Sequence, residues 1–191
     1  MDVKFLDTTF RDGSQSLWAM GMRHGQIEAV AADMDRCGFE VIEVPGNAIH
    51  FKKMIRDLKE NPWDTMRMLA ANIPNTPKAC MGGGLNLNAF GSPTPPALGE
   101  LFWTHQVQIG ALNRVQLTGN TADQMKRVFP SLIPFLKGIG LHCALAISYS
   151  ISPRHTDELF AEQTRLAVSL NPDSIYLKDQ GGLLTVDRIR T

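Results

Sequence analysis

Strand-like and helix-like stretches alternate from one end of this 191-residue chain to the other, and that alternation limits its fold more than any other feature. Short β-branched and apolar runs fall at Val3–Phe10, Phe39–Val44, Lys78–Met81, Arg114–Thr118, His142–Tyr149 and Ser174–Lys178. Helical periodicity fills the gaps at His24–Arg36, Ile49–Lys59 with Trp63–Asn72, Ala97–Ile109, Ala122–Lys137 and Thr156–Leu170. Asn61-Pro62, Asn75-Thr76-Pro77 and Gly91–Pro96 punctuate the pattern as turns or loops, and Gly82-Gly83-Gly84 reads as a tight turn after the third strand. Each strand followed by a helix calls for a parallel sheet covered by helices.

Side-chain parity narrows the architecture. In His142–Ser150 the small residues Ala144, Ala146, Ser148 and Ser150 fall on one face, and Cys143, Leu145, Ile147 and Tyr149 on the other. Small residues inside and large ones outside suit a barrel strand. Ser174, Tyr176 and Lys178 share a face, as do Arg114, Gln116 and Thr118. Polar faces recurring on several strands predict an interior that becomes a site near its mouth. Six β/α units are countable, whereas a (β/α)8 barrel takes about 250 residues. The alternatives are an open six-stranded sheet and a (β/α)8 TIM barrel of which this chain supplies the first six units.

Bulk properties exclude several classes. With 19 basic and 19 acidic residues, nothing marks a nucleic-acid partner or a membrane surface. Cys37, Cys80 and Cys143 are odd in number and widely spaced, as expected of reduced thiols in a cytoplasmic protein. No apolar run is long enough to insert into a membrane. At 43% hydrophobic residues, one barrel domain over residues 1–191 is expected.

The junction Asp7-Thr8-Thr9-Phe10-Arg11-Asp12-Gly13-Ser14-Gln15-Ser16-Leu17-Trp18-Ala19 places a cation and a carboxylate together where the first strand opens into a turn. Ligands bind at that end of strands in parallel α/β folds. From residue types alone, Arg11-Asp12 reads equally as a strand-end ion pair, and Lys178-Asp179 as a solvated strand terminus. His142 and His155 have no metal-ligand spacing.

The same run resembles the opening of the pyruvate carboxyltransferase-like metal-dependent barrels, and its Gln15-Ser16-Leu17-Trp18-Ala19 continuation resembles their biotin-dependent branch. That branch comprises pyruvate carboxylase, the oxaloacetate decarboxylase alpha subunit and transcarboxylase. Glu60-Asn61-Pro62-Trp63-Asp64, Tyr149-Ser150-Ile151-Ser152-Pro153-Arg154-His155-Thr156 and Asp173–Leu184 resemble further signatures of the branch, in the same order. The resemblance implies carboxyl transfer or decarboxylation on a 2-oxoacid through an enolate, with biotin carried on a partner domain. It implies Asp12 as a ligand of a divalent metal of the Zn, Mn or Co class. It makes Lys178 a second ligand once carbamylated, and Arg11 and Gln15 substrate-binding and catalytic groups. A homo-oligomer is expected. A carbon–carbon lyase or aldol-type synthase of the same superfamily, and a fragment without turnover, are the alternative readings.

Four departures from the resembled pattern stand out. The chain contains no His-x-His pair, which the branch carries on its seventh strand, so a natural form continuing beyond Thr191 is expected. No arginine follows the third strand, where Cys80-Met81-Gly82-Gly83-Gly84 stands. The fourth-strand stretch is Val115-Gln116-Leu117-Thr118-Gly119-Asn120, and the loop after the second strand is Glu43-Val44-Pro45-Gly46-Asn47-Ala48-Ile49. The changes gather on the substrate side, leaving the substrate other than pyruvate as an open expectation.

Overall fold

A computed structural model describes residues 3–82, 94–119 and 121–190. Six parallel strands, β1 (Leu6–Asp7), β2 (Val41–Glu43), β3 (Lys78–Gly82), β4 (Arg114–Thr118), β5 (His142–Ser148) and β6 (Ser174–Lys178), form one sheet in sequential order. Helices α1 (Ser14–Trp18), α2 (His24–Arg36), α3 (Ala48–Lys53), α4 (Pro62–Asn72), α5 (Pro96–Gln108), α6 (Ala122–Gly138), α7 (Asp157–Ser169) and α8 (Val186–Ile189) alternate with them. Sequential parallel order is the topology of a (β/α)8 barrel, and the chain supplies six of its eight units.

The register confirms the parity expected from sequence. Met81, Gln116, Ala144 and Ser174 stand in one row, and Thr118, Ala146 and Tyr176 in the next inward row. The outward face carries Cys80, Val115, Leu117, Cys143 and Leu145, all fully buried under the helices. Helix α6 seats Met125, Phe129, Leu132, Ile133 and Leu136 in this core. Its Pro130 and Pro134 lie one turn apart on the exposed side, where water can satisfy the carbonyls they leave unbonded.

The ends of the helices are fastened by short-range chemistry. Asn61 caps α4 by accepting from the Trp63 amide at 3.1 Å, with Pro62 at the first helical position. Thr121 and Thr156 cap α6 and α7 in the same manner. Gly110 and Gly140 take φ of +73° and +92° just past α5 and α6, a left-handed conformation that glycine adopts without a Cβ clash. At the closed end of the barrel, the Asp35 carboxylate accepts from the Thr76 amide at 2.7 Å and the Asn75 side-chain amide at 2.7 Å. Burial works to raise the Asp35 pKa, but these hydrogen bonds hold it below the ordinary value.

Three sequence expectations are revised. The first strand is Leu6–Asp7 rather than Val3–Phe10, because Thr9–Gly13 winds into a π-helical turn. The helix expected at Ile49–Lys59 is α3 followed by a second π-helical turn, Met54–Leu58. The second strand shrinks to Val41–Glu43. Gly83-Gly84, Asn120 and the start of the Gly91–Pro96 loop lie outside the described residues.

Candidate active site

The open end of the sheet begins with Asp7, whose carboxylate accepts from the Thr9 amide and hydroxyl, both at 2.9 Å. The Thr8 carbonyl then accepts from the amides of Arg11, Asp12 and Gly13 at 3.2, 2.7 and 3.1 Å. One carbonyl gathering three amides makes the π-helical turn, and that turn points Arg11 inward and Asp12 outward. Such turns are rare and concentrate at functional sites. Arg11 is 6% exposed, whereas the Asp12 side chain is 51% exposed.

Arg11 is held by a carboxylate that the sequence reading did not single out. Its Nε and Nη2 donate to Glu43 Oε2 at 2.6 and 2.5 Å, and Nη1 donates to Asp12 Oδ1 at 2.8 Å. Glu43 ends β2 with no exposed surface, and its Oε1 has no hydrogen-bond partner among the described residues. Burial raises the Glu43 carboxyl above the usual carboxylate range, with the Arg11 guanidinium opposing that rise. An acidic residue within the otherwise apolar Val41–Val44 run was the sequence signal for it.

His50 on α3 is buried beside Arg11. The Asn47 side-chain oxygen accepts from its backbone amide at 3.0 Å and lies 2.9 Å from its Nδ1. Its Nε2 is buried without a partner among the described residues. Burial, the dominant cause, pushes the imidazole down to about 4, and the neighbouring Arg11 charge adds to the fall. No periodicity or spacing in the sequence announces this residue.

Lys178 ends β6 on the inward face, half-buried, with Nζ 3.7 Å from Met81 Sδ. Burial first and Arg11 second lower its pKa, and Glu43 and Asp12 partly restore it. The groups at opposite edges of the sheet therefore share one electrostatic environment, and the solvated-terminus reading of Lys178 is set aside. Below it, the Tyr176 hydroxyl donates to Gln116 Oε1 at 3.2 Å. Burial pushes the Tyr176 phenol up to about 12, so it stays a donor.

Arg11, Asp12 and Lys178 are thus brought to one end of the barrel, joined by Glu43. Gln15 is not brought to them: it stands exposed on α1. His142 and His155 sit with serine partners, 2.9 Å from Ser174 Oγ and 2.7 Å from Ser152 Oγ. No cluster of three or more histidine, cysteine, aspartate or glutamate side chains suited to a metal occurs among the described residues.

No family model matches the chain. Over 184 residues, 96% of the chain, it is 36% identical to a pyruvate carboxylase polypeptide of Methanocaldococcus jannaschii, covering 31% of that protein. It is homologous to the carboxyltransferase barrels of the biotin-dependent enzymes. The large subunit of 2-oxoglutarate carboxylase from Hydrogenobacter thermophilus is 28% identical over 95% of the chain and 27% of its own length. The chain therefore spans under a third of these relatives. The carboxyltransferase domain of Rhizobium etli pyruvate carboxylase superposes with a TM-score of 0.82 at 23% identity, over 97% of this chain and 32% of that one. That likeness fixes the fold as the carboxyltransferase barrel.

Proposed function

We propose that this barrel is the carboxyltransferase component of a biotin-dependent enzyme, moving a carboxyl group between biotin on a partner carrier domain and the enolate of a 2-oxoacid. The observation that carries the reading is Lys178: an amine half-buried on the inward face, its pKa lowered, in the same field as Arg11, Asp12 and Glu43. A lowered pKa enlarges the neutral amine fraction, the form that attacks CO2 and gives a carbamate with release of a proton. That step turns a cation with no acceptor into a carboxylate ligand.

Asp12 and the carbamylated Lys178 are the residues here that would hold a divalent metal, and both are anionic oxygen donors suited to one. The bound metal supplies Lewis acidity toward the oxoacid carbonyl. Arg11 does the positioning. Of its five N–H groups, Glu43 and Asp12 engage three. The two left, one on each terminal nitrogen, form a planar pair able to grip a carboxylate or enolate oxygen. Glu43 holds that fork in place, and His50, kept neutral by burial, adds no competing charge beside it. Residues 1–191 belong, in this reading, to one barrel domain working with a biotin carrier.

The test is a metal analysis of the full-length protein combined with oxoacid decarboxylation, with and without free biotin. Biotin-stimulated turnover and a mass gain of one CO2 at Lys178 are expected. Turnover indifferent to biotin, with an unmodified Lys178 amine in the metal-loaded protein, would favour the carbon–carbon lyase alternative and overturn this one.

A further inference from the structure

The inner wall beneath Lys178 is built of hydrogen-bonding groups that bond little to each other. Gln116 is 7% exposed; its Oε1 takes the Tyr176 hydroxyl, while its Nε2 has no partner among the described residues. Thr118 Oγ1, one inward position nearer the mouth, lies near the Tyr176 hydroxyl without a well-formed hydrogen bond to any described residue. Ser148 Oγ, in register with Lys178, is likewise buried without a partner among those residues. Such groups cost about 1–3 kcal/mol each when left unsatisfied, so a wall carrying three of them is built to receive something polar. Ala144 and Ala146 keep the floor between these strands low.

The facing strand contributes no charge. Met81 points inward beside Lys178. Gly82 points outward against α5, where a Cβ would come within 2.8 Å of Trp103 Cη2, so no side chain can be carried there. The cation on β4, Arg114, lies one inward position deeper than Gln116, at the closed end of the strand. Glu43 works against an anion in this space: its buried carboxylate helps raise the Tyr176 phenol.

We propose that Gln116, Thr118, Ser148 and Tyr176 form the subsite for the non-reacting arm of the oxoacid, and that it selects a neutral hydrogen-bonding arm, a hydroxyl or carboxamide, over an alkyl chain or a second carboxylate. The inference rests on the carboxyltransferase reading for the identity of the reacting end. An amide donor and two hydroxyls match a neutral polar arm in both donor and acceptor sense. An alkyl arm leaves them unpaired, and a carboxylate arm meets Glu43.

The experiment uses the full-length enzyme with its metal and biotin carrier, and three acceptors: 4-hydroxy-2-oxobutyrate, 2-oxopentanoate and 2-oxoglutarate. The hydroxylated acceptor is expected to show a kcat/KM about tenfold or more above both others, the scale on which a site built for hydrogen bonds rejects analogues lacking them. Gln116→Leu should collapse that ratio to within about twofold, and Thr118→Val should lower it by a smaller factor. The same three compounds are titrated calorimetrically without biotin, so that affinity is read without turnover. A flat order, a preference for 2-oxoglutarate, or a ratio unmoved by both variants overturns the subsite. Absence of turnover with the binding order intact overturns carboxyl transfer and leaves the subsite standing. Ordinary turnover with a flat binding order does the reverse.

Discussion

Arg11 and Lys178 stand at the two edges of the same sheet, yet the protein holds them differently. Arg11 is firmly held, gripped by Glu43 at 2.5–2.6 Å and by Asp12 at 2.8 Å, under a helix that brings His50 against it. Lys178 has one soft contact, the Met81 thioether at 3.7 Å, on a strand whose outward residues Ile175 and Leu177 are 36% and 51% exposed. A residue that must keep its charge and direction is locked by a buried counter-ion. A residue that must be chemically modified is left accessible and only partly desolvated. The contrast gives the two edges different roles: one orients, the other reacts.

The largest effect is expected at the locked edge. Glu43→Ala leaves the Arg11 guanidinium buried without its main partner and should cost about 3–5 kcal/mol of unfolding free energy by denaturant titration. A loss under about 1 kcal/mol would mean that the pair is not a structural lock. At the reactive edge, Lys178→Ala in the full-length enzyme should lower kcat about 10²–10³-fold while leaving the denaturation midpoint nearly unchanged, the scale for removing one group that stabilises developing charge. A parallel fall in stability would erase the distinction between the edges.

His50 sharpens the comparison through pH. Its folded pKa of about 4 lies below the unfolded value near 6.5, so the unfolded chain binds the extra proton between those values. Stability is therefore full above about pH 6.5 and falls as pH drops toward 4, by a total on the order of 3 kcal/mol. His50→Gln should flatten that acid limb in melting experiments run from pH 7 to pH 4.5. An unchanged slope would place the acid sensitivity elsewhere. The smallest effect belongs to the outward face of β6: Leu177→Ala, at a half-exposed position, should change stability by no more than about 0.5 kcal/mol. Leu117→Ala, the buried counterpart two strands away, should cost about 2–5 kcal/mol.

Much of this was legible in the sequence because β/α periodicity and strand parity are local properties. The small-inside, large-outside alternation of β5 and the shared polar face of β4 and β6 needed only a residue count of two per repeat. Asp12 and Lys178 were found through motif resemblance, and the fold brings them to one end. Gln15 was found in the same way, and the fold leaves it exposed on α1. Glu43 and His50 were missed as functional groups because each acts only through Arg11, which lies 32 residues from Glu43 in the chain.

The sequence by itself determined the order of elements, the parallel sheet and the inward set Gln116, Thr118, Ser148, Tyr176 and Lys178, since these follow from periodicities of 3.6 and 2. Only the tertiary structure decided that the Arg11-Asp12 junction leaves its strand in a π-helical turn, with the cation turned in and the carboxylate out. The same holds for the meeting of Lys178 with Met81, 97 residues away, and for the open donors on the Gln116 wall. Such facts depend on which buried groups find partners once distant strands are side by side. No local pattern encodes that pairing, because its energy exists only after water has been excluded.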